Sequence, residues 1–352
     1  MRWIVVLVLS ACSSSSNDTP ASLCETQPIE LRVHPHAPAQ RTTIGQELVD
    51  TRGFYGRLYF AYGDLDQNTG PIVVSSYDPI ADEWRDHFTY LTERIERFNV
   101  IGDRLFAPAA DPHYDPNNAN SPQPDYAIGT STHDWGAGGI DAFSSAHVLD
   151  AVERAPGDIY LAGWDMFDAT NFIITATVWR SLDGGPFKLI FPVADTGVQS
   201  NQHGSGFINL AALGGKVYPN LGWTFDGETW AHPAVNLGEF VRPTTFANKI
   251  VSSTLGQLWG YDGTRMKNLG VTLLDTPGLY QFTLSPLALF QQTEGHLVAI
   301  DAENSVITTT DLETWTCVGK APADVRSIGS LDGTIYFGGT AGRIYGFPSP
   351  SW

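Results

Sequence analysis

A single pattern repeats along the chain and leaves few folds open to it. Each unit reads as an apolar strand, a tight turn holding Gly or Asp, a second strand, a variable loop, a third strand, an Asp-containing turn and a short fourth strand, often with Trp. The pattern is clearest over His147 to Arg154, Asp158 to Trp164, Ile173 to Ser181 and Pro186 to Phe191, with turns at Ala155-Pro156-Gly157-Asp158 and Leu182-Asp183-Gly184-Gly185. An earlier unit runs from Tyr55 through Ile72 to Tyr77 and Asp82-Glu83-Trp84. The next covers Glu96 to Ile101, Arg104 to Ala109 and Tyr126 to Thr130, ending at Trp135. Later copies pair Phe207 to Leu213 with Lys216 to Asn220, Thr245 to Ser252 with Gln257 to Tyr261, and Leu287 to Gln292 with His296 to Asp301. The last unit, Val325 to Ser330, Thr334 to Gly339 and Arg343 to Phe347, shows only three strands.

About seven units of about 46 residues fit the blades of an all-β propeller better than the shorter, stricter rungs of a β-helix or the layout of a two-domain sandwich. The expectation is a ring of seven four-stranded blades. Ile29 to His34 is placed to supply the strand missing from the last blade, which would close the ring and remove an exposed edge. The 352 residues divide into an export signal over 1–12, a polar tether over 13–27 and the propeller over 28–352. With 35 glycines, 22 prolines and few lysines, the composition favours short strands and tight turns over helices.

At the turn between third and fourth strands, Ser181-Leu182-Asp183-Gly184-Gly185, Thr224-Phe225-Asp226-Gly227-Glu228-Thr229-Trp230 and Thr309-Thr310-Asp311-Leu312-Glu313-Thr314-Trp315 resemble the Asp-box of sialidases and related propellers. The first has Phe187 where Trp belongs and the third lacks the Gly. The resemblance implies a local role, in which the carboxylate accepts backbone N–H groups within the turn, on the face opposite any active site. Residues 55–190 also resemble a group of bacterial and phage-associated propeller proteins through Gly63-Asp64, Asn68-Thr69-Gly70-Pro71-Ile72, Tyr77-Asp78-Pro79, Thr92-Glu93 and Trp179-Arg180-Ser181. That likeness carries no activity.

The N-terminus points to export. Arg2 precedes an apolar run from Trp3 to Leu9, and Leu9-Ser10-Ala11-Cys12 resembles the lipobox of bacterial lipoproteins, which implies a lipid on Cys12. An ordinary signal peptide cut nearby is the alternative. A serine-rich tether follows, and Ser13 after Cys12 fits an outer-membrane or cell-surface location in a cell envelope. No later stretch is long and apolar enough to span a bilayer, so membrane contact would be through the anchor alone. Cys24 and Cys317 then remain, and in an oxidising compartment they are expected to pair, constraining the unfolded chain by roughly 4 to 5 kcal/mol.

Twenty Lys and Arg against 38 Asp and Glu give a net charge of −18, which disfavours nucleic acid and anionic membrane surfaces as partners. A monomer binding a glycan, peptide or protein is expected. In a propeller the connections between blades and the second-to-third-strand loops share one face. That face is expected to gather Asp64, Asp66, Glu93, Arg97, Asp111, His113, His147 and His203 as a ligand-binding surface. Asp64, Asp66 and Asn68 have the alternate spacing of oxygen ligands for calcium, but the glycine falls one position late and no distal glutamate completes the loop. No zinc-ligand spacing emerges, with only His34 and His36 close together in sequence. A glycan hydrolase or lyase acting on the same face is the alternative. The sialidase Arg-Ile-Pro motif is missing, and Arg97, Arg242 and Arg326 are the arginines from separate units that a carboxylate clamp would draw on. Neither a phosphate-binding glycine loop nor a Gly-x-Ser-x-Gly elbow is present.

Overall fold

A computed structural model describes residues 24–64, 70–110, 125–140, 146–168, 173–191, 199–200, 209–219, 223–231, 241–275 and 289–352. They form seven antiparallel sheets of four strands arranged in a ring, with two short 3-10 turns at Ala37–Ala39 and Thr340–Gly342 as the helical elements among them. Blade three adds a short strand, Gln199–Ser200, against its third strand. The innermost strands, in blade order, are Asp50–Phe54, Asn99–Ile101, Ala146–Ala155, Leu210–Leu213, Val241–Phe246, Phe290–Thr293 and Val325–Leu331.

Turn chemistry explains why the strands reverse where they do. Asp332 and Gly333 (φ 50° and 74°) join Leu331 to Thr334, and Gly214 and Gly215 (φ 58° and 75°) join Leu213 to Lys216. Both turns hold two central residues in the left-handed region, the twist-matched hairpin geometry that glycine adopts at low cost. In blade five the same geometry falls on Ala247 and Asn248 (φ 48° and 56°), so the stretch read as one strand from Thr245 to Ser252 is two, Val241–Phe246 and Lys249–Thr254. Without a glycine, that turn left no mark in the sequence.

Blades pack face to face through apolar side chains that project from both surfaces of each sheet. The largest core group spans blades seven, one and two, with Leu48, Leu58, Tyr59, Phe60, Tyr90, Phe98 and Leu105 fully buried. The inner strands of blades one and seven approach so closely that a β-carbon at Gly53 would collide with the Ser330 carbonyl, and one at Gly329 with that of Thr51.

The ring closes as the sequence anticipates. Ile29–Val33 adds antiparallel to Arg343–Gly346 as the outermost strand of blade seven, with Ile29 opposite Gly346 and Val33 opposite Arg343. Just before it, Cys24 is disulfide-bonded to Cys317 in the outer strand of blade six, and the Thr26 carbonyl accepts the Lys320 N–H at 2.9 Å. Just after it, His34 is buried against blade one. Its Nδ1 accepts the Ala37 N–H at 3.0 Å, and its Nε2 meets the Ser75 hydroxyl at 3.1 Å. Burial depresses the His34 pKa to about 3, so the ring stays neutral. One short segment therefore ties blades six, seven and one.

Candidate functional site

Around the axis, the inner strands and the segments that lead into them carry charges, two of which, Arg97 and Arg242, also reach partners in blades that are not neighbours. Such contacts have to cross the centre of the ring. Arg97, leading into blade two, donates to Asp150 Oδ2 of blade three and to the Pro243 carbonyl of blade five, both at 3.2 Å. Arg242 of blade five donates to the Glu96 carbonyl at 3.1 Å and lies 3.6 Å from Asp50 Oδ1 of blade one. Glu96 is also paired with the fully buried Arg94 at 3.0 Å, and Arg326 with Glu47 at 2.9 Å.

The carboxylates of this girdle are satisfied from several sides, as burial of a charge demands. Asp50 accepts the Phe98 N–H at 2.8 Å and Gln291 Nε2 at 3.3 Å. Asp150 accepts the N–H groups of Ala151 and Leu210 at 2.9 and 2.8 Å. Burial pushes the Asp150 pKa up, against the pull of Arg97 and these donors. Arg97, Arg242 and Arg326 are each engaged in an ion pair, so none of the three is held ready as a clamp for a substrate carboxylate.

Below the girdle lies a cavity of about 450 Å³, within the usual size range of ligand pockets. Six blades line it: Arg52 from blade one, Arg97 and Asn99 to Gly102 from two, Ala151 to Arg154 from three, Leu210 to Gly215 from four, Pro243 to Thr245 and Asn248 from five and Gln292 from six. It reaches from Arg97 and Pro243 to the first hairpin turns of the blades, where Gly102, Gly214, Gly215 and Asn248 are exposed. Its wall mixes backbone, polar and aliphatic groups and presents more polar than apolar surface, with Val100 projecting half-exposed from blade two.

Arg52 differs from the other axial arginines. Its one hydrogen bond within the described residues runs from Nη1 to the Gln292 carbonyl at 3.3 Å. Among the described residues its Nε has no partner, and no carboxylate lies within ion-pairing distance. Burial lowers its pKa to about 10, with Asp50 opposing that shift and Arg97 adding to it, so the guanidinium remains charged at neutral pH. Asp50 and Arg52 alternate with Thr51 and Gly53 along the inner strand. The latter pair packs on blade seven, where Thr51 meets the Ser327 hydroxyl at 2.7 Å, which leaves Arg52 to the axis.

Of the residues expected on the loop face, Asp66, Asn68, Asp111, His113 and His203 lie outside the described residues, as does Cys12. Asp64 and Glu93 are brought together, and His147 lies beside Ala110 and Trp164, all three inside the protein. The Asp64 N–H donates to the Glu93 carbonyl at 3.2 Å, and Asp64 Oδ2 accepts the Thr42 hydroxyl at 2.6 Å. His147 bonds through Nδ1 to the Ala110 carbonyl and stacks on Trp164. Burial depresses its pKa to about 3, and Asp64, Glu93 and His147 are all buried. Arg97 is the one expected residue that lines the cavity. Arg52 was missed, because strand alternation names two faces without saying which one a closed ring turns to its axis.

The Asp226 and Asp311 turns hold the local bonds that their pattern implies, whereas the Asp183 carboxylate accepts no such N–H among the described residues. Asp226 Oδ1 accepts the N–H groups of Glu228 and Thr229 at 2.9 and 2.8 Å, and Asp311 Oδ1 accepts those of Glu313 and Thr314, both at 2.8 Å. The donors hold the Asp226 pKa down to about 2.

No family model matches the chain, and no curated protein matches it. Solved structures share its architecture. YCF48 bound to a D1 peptide has TM-score 0.51 and 11% identity, over 93% of this chain and 98% of that one. The WD40 β-propeller domain of Doa1 has TM-score 0.50 and 10% identity, over 92% and 97% of the two chains. YCF48 from Cyanidioschyzon merolae has TM-score 0.49 and 12% identity, over 86% and 95%. At these identities the likeness is one of fold: the chain is a seven-bladed β-propeller.

Proposed function

We propose that this propeller is a binding protein rather than an enzyme, and that it takes a segment of a peptide or protein partner into the axial cavity. The observation that carries the reading is the cavity itself, lined from six blades and open at the hairpin-turn face. Glycoside cleavage needs two carboxyl groups across the scissile bond. The described lining holds one, Glu153, whose Oε1 already accepts the Gly157 N–H at 2.9 Å. No aromatic ring lines the described cavity to stack on a sugar. Val100, Val152 and Leu213 instead offer aliphatic contacts among polar and backbone groups, a mixture suited to a peptide segment. The structure of YCF48 bound to a D1 peptide is a precedent for a propeller that binds a peptide. The expected setting is the cell envelope, with the protein tethered by a lipid on Cys12.

The test fills the cavity without touching the core. Val100 is 47% exposed on the cavity wall, so Val100→Trp adds bulk where there is room. Calorimetric titration of wild type and variant with a panel of short peptides and neutral oligosaccharides should show peptide binding that Val100→Trp weakens while its melting temperature stays unchanged. Binding that the variant leaves intact would place the ligand elsewhere, and release of reducing sugar from an oligosaccharide would make the protein an enzyme.

A further inference from the structure

We infer that the axial cavity is a receptor for a single carboxylate on an aliphatic ligand, with the Arg52 guanidinium as the group that receives it. This rests on the cavity being a binding site and names what it recognises. The axial carboxylates Asp50, Asp150, Glu96 and Glu47 are each matched to an arginine, whereas Arg52 lines the cavity with a single carbonyl on Nη1, no hydrogen bond to Nη2 and an unpartnered buried Nε among the described residues. A half-buried guanidinium left this way carries a standing desolvation penalty, and a planar anion that takes two parallel N–H bonds would remove it.

Charge sets the ligand's valence. The protein as a whole carries −18, a field that repels polyanions, and the cavity offers one uncompensated positive charge because Arg97 is committed to Asp150. At the mouth Arg154 and Arg180 share Asp158, at 2.6 and 2.7 Å, and the Glu153 carboxylate, which also lines the cavity, offsets the second of these charges, so Arg52 is the cation left to balance. A monoanion balances that site and a phosphate dianion does not. The partly exposed Val100, Val152 and Leu213 side chains of the lining then favour an aliphatic group beside the carboxylate. The chemistry has three sources, a chain terminus, an acidic side chain and a free branched organic acid, and the probes separate them.

Four probes are titrated into the intact protein: acetyl-Ala-Val-Leu with a free carboxyl end, the same tripeptide as its amide, acetyl-Ala-Val-Asp amide, and isovalerate. At least one carboxylate should bind about tenfold more tightly than the amide, and Arg52→Met should lose about that tenfold. Arg52→Lys keeps the charge without the fork and should retain part of the binding. The bound probe identifies the source. Equal affinity for acid and amide, or an Arg52→Met protein that binds the acid as well as wild type does, overturns the carboxylate assignment while leaving a binding cavity in place. No binding by any carboxylate at about 10 mM, beside binding of the amide, does the same. Failure of every probe and of the wider peptide panel overturns the assignment and the binding reading together. Melting curves of both variants show whether they are folded, so a lost affinity is assigned to the site.

Discussion

Replacing Arg52 with methionine should make the unliganded protein more stable. The change keeps most of the aliphatic stem and removes the charge. Lowering an arginine pKa from its ordinary 12.5 to about 10 corresponds to about 3 kcal/mol of destabilisation at neutral pH. Water in the cavity screens part of this, and the bond to the Gln292 carbonyl is lost with the side chain, so the net gain should be about 1–2 kcal/mol. For a chain of 352 residues that is a rise of about 2 °C in melting temperature, read by calorimetry on both proteins side by side. The sign against pH follows from burial. Below about pH 10 the arginine is charged in both folded and unfolded chains, and the folded one bears the penalty. As pH rises through 10 toward 12.5 the folded protein sheds the proton first, so the advantage of the variant should shrink. A variant less stable than wild type by more than about 1 kcal/mol would refute the reasoning, because it would make Arg52 a structural member of the girdle like Arg97.

Three other outcomes follow from the fold. Reducing the Cys24–Cys317 bond, which spans a sequence separation of 293, should lower stability by about 5 kcal/mol in the chain-entropy model; a melting temperature unchanged by reductant would contradict it. His147, held neutral with a pKa near 3, forces the folded protein to forgo a proton that the unfolded chain takes up below about pH 6.5. Stability attributable to this site should therefore fall by about 1.4 kcal/mol per pH unit from 6.5 toward 3, and His147→Phe should narrow the melting-temperature gap between pH 7 and pH 5. Cys12→Ala should release the protein from the membrane fraction, and continued dependence on detergent would rule out lipid at that residue.

What the sequence disclosed was what is local. Aspartates at positions such as 226 and 311 bond to residues two and three places on, so their role is written in the motif. The blade count and the closing strand were legible for the same reason, since strands, glycine turns and period all lie within a unit of the repeat. The Ala247-Asn248 turn escaped because its left-handed backbone is carried by residues that do not announce it. The site was harder to read because its partners are remote. Arg97 meets Asp150 and Pro243, and Arg52 meets Gln292, across sequence gaps that only ring closure spans. Asp64 and His147 look like wet loop groups in sequence, yet the fold supplies Thr42 and Ala110 from elsewhere and buries both. The cavity also opens at the hairpin-turn face, whereas the sequence directs attention to the loops at the other end.

The most direct test of the account is to observe the Arg52 guanidinium itself. In protein labelled with ¹⁵N-arginine, the Nε–H signal that disappears in Arg52→Met belongs to that side chain. On titration with the tightest carboxylate probe that signal should move saturably, with the same midpoint as calorimetry, while the signals of Arg97 and Arg242 change little because their ion pairs are already made. An Arg52 signal that stays in place as the carboxylate binds would contradict the central claim and put the ligand elsewhere on the propeller.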